Sequence, residues 1–480
     1  MNRSPIVAIL GHVDHGKTTL LDYIRKSSVA SSEHGGITQK IGAYEIATDF
    51  KDYKNNKITF IDTPGHEAFS LLRARGANVA DIAILLIDGK DSVMPQTIES
   101  ISHIKAAKIP FIVTINKADL PDVNPEKVKN DLLKYEVMVE GKGGDVPVAL
   151  VSAKTGAGIR ELLETILMIA EDIDLKCDSK NLPQAYIIET KKDRRGVVVS
   201  AIIKDGHIKI GDVLFSGDNK IKVRSINNDL GKQVSEVFPS SPFELLGFNE
   251  LPNVGQIIQS QEKIIEKIIT SSTPKKLDLQ TLLAIPSVEK KLSLIIKTDS
   301  QGSLEAINQS LIKNNNVDII LQAVGEINKS DVFLAKATKA IIIGFSITPN
   351  AEAKDIAKQE KVIIKTYNII YELLDELNEV ADLLKEKEEK EKNLKGEAKI
   401  LATFIIEKET IYGVKIIKGK INLGDKLELH RNLKLIDKTK LISLKIRAKE
   451  TTEVKKNQEA GMIFSPELDI RVGDVIKSIL

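Results

Sequence analysis

The stretch Ile6-Val-Ala-Ile-Leu10, followed at once by Gly11-His-Val-Asp-His-Gly16-Lys17-Thr18, decides how the chain is read. An unbroken apolar run predicts a strand buried on both faces, and residues 19–26 return to helical spacing. Between them lies the G-x-x-x-x-G-K-T pattern in the strand-loop-helix setting a phosphate loop requires. The glycines let backbone N–H groups curl round phosphates at the positive end of the helix. Lys17 brings a point charge to the β and γ oxygens, and the Thr18 hydroxyl is placed to ligate Mg²⁺. Asp14, His15, Gly16 and Thr19 complete the loop. His12 and His15 read as local features of it, since no Cys or third His clusters with them to make a separate metal site.

Outward from this loop, apolar runs at 58–61, 82–87, 111–115 and 146–151 alternate with helical patterns, which predicts a parallel sheet covered on both sides. Each run ends in polar residues on the carboxyl edge, where open α/β sheets bind ligands. Asn116-Lys117-Ala118-Asp119 follows the run at 111–115. The Asp119 carboxylate can accept from N1–H and the exocyclic amine of guanine, and adenine offers neither donor there, so the pocket selects GTP and GDP over adenine nucleotides. Ser152-Ala153-Lys154 closes the pocket, with the Ala153 N–H directed at guanine O6. Asp62-Thr-Pro-Gly65-His66 follows the run at 58–61. Asp62 is expected to hold Mg²⁺ through water, Gly65 to donate its N–H to the γ-phosphate, and His66 to orient the attacking water. Thr38, in Gly35-Gly-Ile-Thr38, is the expected second hydroxyl ligand of Mg²⁺, on a loop that orders with the γ-phosphate and relaxes after its loss.

The 480 residues suggest about three domains at roughly 150 each. Lys+Arg 69 against Asp+Glu 67 leaves a net charge of +2, so contact with RNA must use local patches. The single cysteine, Cys177, excludes internal disulfides and thiolate clusters and fits a reducing compartment. No apolar run approaches the roughly 18 to 20 residues needed to span a bilayer. A first strand so near Met1 leaves no room for a signal or transit peptide. A cytoplasmic protein is expected, or one of the plastid stroma if organelle-encoded. With 12 Phe, 8 Tyr and no Trp, broad aromatic platforms for stacking bases are not expected.

The expected fold class is multidomain α/β plus β. A P-loop GTPase domain spans 1–175, a β-barrel 180–265, a small α/β/α domain 275–368, a connecting helix 369–395 and a second β-barrel 396–480. A polar, Lys-rich linker is read at 271–276. The α/β/α domain is placed on runs at 292–296, 317–321, 340–344 and 362–365 with helical stretches at 302–313 and 351–358. Ile370, Leu373, Leu374, Leu377, Val380, Ala381 and Leu384 then make one apolar helical stripe. Beyond it, Glu386 with Lys390 and Glu388 with Lys392 stand at i,i+4 in the favourable order. Read to Lys395, this is a solvated rod on the order of 40 Å long, or else a charged linker. The second barrel repeats the first: residues 202–214 parallel 416–427 with one residue deleted, and Val254-Gly-Gln-Ile257 closes the first as Val472-Gly-Asp-Val475 closes the second.

GHVDHGKT at 11–18, GGIT at 35–38 and DTPGH at 62–66 resemble the translational GTPases. The stretches beginning at His34, His66, Val93, Asp299, Ile342 and Tyr367 resemble, more narrowly, bacterial-type translation initiation factor two, and the resemblance covers essentially the whole chain. It implies a GTPase acting with the small and large ribosomal subunits, formylmethionyl initiator tRNA and other initiation factors, as a monomer and away from membranes. His66 takes the family's catalytic role, and Val13 and Ile37 match the positions that gate it. The last barrel takes the tRNA acceptor end, on Ser443-Leu-Lys445 and Glu459-Ala460-Gly461 with Arg447 nearby. Lys445, Arg447, Glu459 and Gly461 are the tRNA candidates, a solvated basic loop being the other reading of the two basic residues. The chain departs from the pattern in starting at the GTPase domain, without the usual N-terminal extension. It also departs in having Ala460 and Val414 where cysteines are common, and Ile446-Arg447-Ala448 where a basic-aromatic-basic triplet is common.

Overall fold

The computed structural model describes residues 2–27, 37–260, 291–312, 316–406, 409–431, 434–447, 449–466 and 469–479. Gly35, Gly36 and the linker read at 271–276 lie outside them. The chain divides into two units, Met1–Leu279 with Leu292–Leu377, and Gln280–Lys291 with Asn378–Leu480.

The first unit opens with a six-stranded sheet. Its strands are β1 (Ile6–Gly11), β2 (Gly42–Ala47), β3 (Lys57–Asp62), β4 (Ile82–Asp88), β5 (Phe111–Asn116) and β6 (Val148–Leu150), in the order β2-β3-β1-β4-β5-β6. All neighbours are parallel except β2, which runs antiparallel to β3 in the register Gly42↔Asp62 to Ala47↔Lys57. β1 and β4 are buried along their whole length, as unbroken apolar runs require. The sequence reading missed β2: an edge strand half-buried from Gly42 to Ile46 carries neither an apolar run nor a clean alternation.

An eight-stranded antiparallel sheet follows, from Gln184–Asp193 to Ile257–Gln259, wrapped round one apolar core that includes Ile187, Val199, Leu214 and Leu245. Several side chains join it to the first sheet. Thr59 Oγ1 donates to Ser240 O at 2.6 Å, and the Arg3 guanidinium grips Asp81 at 2.5 and 2.6 Å with Lys204 adding a second cation at 3.3 Å. Burial pushes the Asp81 carboxyl up, and Arg3 and Lys204 more than reverse it.

Four parallel strands in the order Val317–Val324, Leu292–Thr298, Ile341–Phe345 and Ile364–Tyr367 make the third sheet. It is flanked by the helices Gln301–Leu311, Lys329–Thr338 and Ala351–Glu360. Glu189, buried in the eight-stranded sheet, reaches the N-terminus of Gln301–Leu311. It accepts from Thr190 N at 2.8 Å, Gly302 N at 3.0 Å and Ser300 Oγ at 3.0 Å. Burial raises its pKa to about 6 from an ordinary 4.5, the three donors notwithstanding. A proton held more tightly in the folded state stabilises the fold below pH 4.5, and this contribution fades as the pH rises through about 6. Glu189→Gln keeps the acceptor and removes the buried charge. Its stability relative to the parent is therefore expected to improve by about 2 kcal/mol between pH 4.5 and 7.5, read from paired thermal unfolding curves. An offset that does not change with pH would contradict this.

In the second unit the strands Leu394–Ile406, Val475–Ile479, Lys426–Arg431, Lys434–Ile446, Glu459–Ser465 and Glu409–Asn422 pair in that order, and the last pairs back with the first. The result is a closed six-stranded barrel. The helix preceding it runs Ile370–Lys392, and strand pairing begins at Leu394 opposite Ile479, so the helical reading to Lys395 overran into the barrel. The repeat detected in the sequence has an atomic counterpart. Asp212 Oδ2 accepts from Lys209 N and Asp425 Oδ2 from Asn422 N, both at 2.8 Å. Gly211 N donates to Val223 O and Gly424 N to Leu441 O, with φ of 96° and 89° at the two glycines. At the closing turns Gly255 N donates to Ile187 O and Gly473 N to Ile400 O. One turn chemistry has been used twice in the same relation to its strands.

Candidate functional site

The loop 12–16 joins β1 to the helix Lys17–Arg25, whose N-cap is Gly16 at φ 90°. That value belongs to glycine, and a Cβ there would stand 2.5 Å from Asn116 Nδ2. The phosphate loop and the end of β5 are therefore pressed together, and Asn116 Nδ2 donates to His15 O at 2.8 Å. Lys17 is buried with its Nζ on Gly11 O at 3.0 Å and His12 O at 2.7 Å. Burial pulls its pKa down and the nearby Asp62 carboxylate opposes that. Thr18 Oγ1 and Thr38 Oγ1 lie 2.5 Å apart, so the loop after residue 36 has brought its hydroxyl to the one at the helix start. Asp62, at the end of β3, is buried.

Gly65 lies flush on the phosphate loop: a Cβ there would meet Lys17 Nζ at 2.5 Å and Val13 N at 3.0 Å. His66 N-caps the short turn Glu67–Phe69, its Nδ1 accepting from Ala68 N at 2.9 Å. This fixes the tautomer with the proton on Nε2, and burial lowers the pKa, so the ring is neutral at pH 7. Val13, Asp14, Gly16, Lys17, Thr18, Thr19, Ile37, Thr38, Gly65, His66 and Lys117 line one cavity of about 310 Å³. An adjoining cavity of about 180 Å³ shares Gly16, Thr19 and Lys117 and adds Asn116, Asp119, Leu120, Ala153 and Lys154.

In that second cavity Lys117 pairs with Asp88 at 2.6 Å, and Ser152 Oγ donates to Asp119 Oδ1 at 2.6 Å. The Ser152 hydroxyl, with further help from Lys154 and Lys117, holds Asp119 below the usual carboxylate range. Asp119 is exposed, and the Ser152 hydroxyl orients its carboxylate. The Ala153 N–H, which the sequence reading directs at guanine O6, donates to Asn116 Oδ1 at 2.9 Å. A purine oxygen would share that donor with Asn116. His15 sits apart from the cavity wall, its Nδ1 3.3 Å from Leu86 O, and burial lowers its pKa to about 4. It buttresses the loop from behind as a neutral ring.

The closed barrel of the second unit has its own cavity of about 770 Å³. Leu401, Phe404, Ile411, Val414 and Ile446 give it an apolar floor, and Arg447, Asn457, Gln458 and Glu459 a polar rim. Three of the four tRNA candidates, Arg447, Glu459 and Gly461, line it, and Lys445 pairs with Gly461 across the adjacent strands.

Residues 2–172 match the family described as Elongation factor Tu GTP binding domain, residues 183–261 that described as Elongation factor G domain 2, and residues 270–378 that described as Translation-initiation factor 2. The chain is 41% identical to Translation initiation factor IF-2 of Halothermothrix orenii over 99% of its own length and 71% of that protein's. The chain belongs to the translation initiation factor IF-2 family. It is likewise 41% identical to the IF-2 of Syntrophomonas wolfei and 42% identical to that of Bartonella henselae, each over 99% of this chain. It spans 55% and 58% of the lengths of those two relatives. Among solved structures, GDP-bound aIF5B from Aeropyrum pernix is 26% identical, covering 100% of this chain and 92% of that one with a TM-score of 0.48. The first cavity is lined by residues of the segment that matches the Elongation factor Tu GTP binding domain family.

Three residues of this IF-2 family member border the site without having been read from the sequence. The Tyr371 ring packs edge-on against His66 with centroids 4.0 Å apart. Gln39, next to Thr38, clasps the start of the same helix, donating to Asn368 O at 2.8 Å and accepting from Ile370 N at 3.0 Å. Arg73 is fully buried behind Gly65 and His66. A signal for it existed: Arg73 falls among Phe69, Leu72, Gly76 and Ala77 on the buried stripe of a helix, where a cation needs a dedicated partner. Tyr371 and Gln39 depend on contacts more than 300 residues apart in sequence and left none.

Proposed function

We propose that this chain is a ribosome-activated GTPase that brings formylmethionyl initiator tRNA to the small ribosomal subunit and promotes joining of the large one. The observation that carries this reading is the convergence of Lys17, Thr18, Thr38, Gly65 and His66 on one cavity that adjoins the Asn116, Asp119 and Ala153 pocket. Lys17 and the loop amides 14–19 hold the β- and γ-phosphates, and Gly65 N–H reports whether the third phosphate is present. Asp119 accepts from guanine, with Asn116, Lys117, Ser152, Ala153 and Lys154 shaping its pocket. The paired hydroxyls of Thr18 and Thr38, with Asp62 buried nearby, make an all-oxygen donor set that suits Mg²⁺. Such an ion, when bound, neutralises charge on the β and γ oxygens.

In hydrolysis water attacks the γ-phosphorus while the bond to the β–γ bridging oxygen breaks, leaving GDP and phosphate. His66 with its proton on Nε2 is a donor to that water, so it orients the nucleophile and does not act as its base. Tyr371 occupies one side of the ring, and contact with the ribosome is what brings His66 to the water. The barrel cavity of the second unit takes the acceptor end of the tRNA, an apolar floor suiting a methionyl side chain and a polar rim the formyl and ribose groups. Lys445 and Arg447 serve the RNA backbone.

The domain limits 1–175, 180–265 and 275–368, followed by the helix Ile370–Lys392 and a last barrel from Leu394, action as a monomer with other initiation factors, and a cytoplasmic setting belong to the same proposal. The family matches at 2–172, 183–261 and 270–378 support its first three limits. No helix among the described residues is long and apolar enough to cross a membrane. Phosphate release measured with and without ribosomes tests the reading. Slow release alone and fast release with ribosomes is expected, and a rate that ribosomes leave unchanged would overturn it.

A further inference from the structure

The Arg73 side chain is fully buried, and its guanidinium is spent on the backbone of the segment that approaches the phosphates. Nη1 donates to Pro64 O at 3.1 Å, to Gly65 O at 3.0 Å and to His66 O. Nη2 donates to Glu99 Oε2 at 2.6 Å on the neighbouring helix Pro95–Ala107. Glu99 is itself fixed by His103 Nε2 at 3.2 Å. Burial pushes the Glu99 carboxyl up, but bonds from His103, Ser70 and Arg73 outweigh it and leave it at about 2, so the partner is charged throughout the physiological range. A buried ion pair is costly to assemble and is weak evidence of stability alone, which directs attention to what the cation holds.

It holds three successive carbonyls, and the peptide plane does the rest. The Pro64–Gly65 peptide is trans. In a planar trans peptide the C=O and N–H point in opposite directions. With Pro64 O turned toward Arg73, the Gly65 N–H must turn away from it, to the side where Gly65 lines the phosphate cavity against Lys17 and Val13. The same argument turns the His66 N–H away from the bonded Gly65 O. No other side chain offers enough forked donors for this arrangement, and a lysine could serve it only in part.

We propose that Arg73 is the positioning residue of the γ-phosphate sensor, locking from behind the peptide orientation that aims the Gly65 N–H at the third phosphate. This rests on the reading of Gly65 as the γ-phosphate donor. Arg73 lies behind the residues that line the phosphate cavity, and acts only through the backbone it holds.

The test is titration of the full chain with fluorescent GDP and with a fluorescent non-hydrolysable GTP analogue, in the parent and in Arg73→Met, Arg73→Lys and Glu99→Gln. Loss of one hydrogen bond to a charged phosphate predicts that Arg73→Met weakens the analogue about tenfold or more while GDP stays within about twofold. Arg73→Lys should fall between, and Glu99→Gln should shift the ratio the same way by less. A purely structural arginine would weaken both nucleotides together, and that result, or an unchanged ratio, overturns the proposal. Should Arg73→Met fail to fold by circular dichroism, the ratio in the Lys and Gln variants decides the matter by the same criterion. A parent chain that binds neither nucleotide would defeat the nucleotide reading itself. A parent that binds both, with variants of unaltered ratio, defeats only the role of Arg73.

Discussion

His66→Ala is expected to lower the ribosome-stimulated rate of GTP hydrolysis by about a thousandfold while GTP affinity stays within about twofold. The ring lines the phosphate cavity, and the hydrogen bond it accepts from Ala68 N at Nδ1 caps a three-residue turn. Losing that cap costs about 1 kcal/mol of local stability and leaves Lys17, Thr18 and Asp62 in place. What disappears is the Nε2–H that the proposed function gives to orienting the water. The pH profile follows from the same geometry. Burial lowers the His66 pKa, so the neutral ring persists below 6.5 and the stimulated rate should stay level from pH 8 down to at least that value. Single-turnover phosphate release on ribosomes reads both effects. A variant that keeps its stimulation would remove His66 from the reaction, and a profile that falls away near pH 6.5 would contradict the lowered pKa.

Asp119→Asn is expected to exchange the base preference, weakening GTP by about two orders of magnitude and admitting XTP in its place. The carboxylate matches the two donors of guanine. An amide at the same position offers one acceptor and one donor, which matches N1–H together with the C2 carbonyl of xanthine. Ser152 Oγ can still donate to the amide oxygen, so the side chain should keep its orientation. Because Asp119 stands exposed at the rim, the substitution creates no cavity, and the unfolding temperature should not move. Competition of GTP and XTP for the same fluorescent probe measures the exchange. Equal loss of both nucleotides would mean that Asp119 shapes the pocket without reading the base.

The proposed nucleotide site was legible as a set of residues because most of its parts sit within a few residues of an apolar strand end. Lys17 and Thr18 follow β1, Asp62 and Gly65 follow β3, and Asn116 and Asp119 follow β5, and the parallel order of the sheet sets those ends side by side. The barrel repeat was legible for a similar reason, since Gly-Asp turns are local devices that need only their own neighbours. The edge strand β2 was not, because half-burial leaves no period to read. Nor was the exposure of Asp119 or the engagement of the Ala153 N–H with Asn116, which depend on how two loops meet.

Chemical identity at each strand end was therefore set by the sequence: which cation, which hydroxyls, which carboxylate stand there. Tertiary structure settled aim. Arg73 reaches the carbonyls of Pro64, Gly65 and His66 only because the helix Ser70–Val79 lies beneath them, and Tyr371 meets His66 only because the last helix of the first unit begins beside it. A hydrogen-bond donor is a property of a residue, whereas its direction is a property of the peptide planes and side chains packed around it, and those are brought together by parts of the chain that no local pattern links.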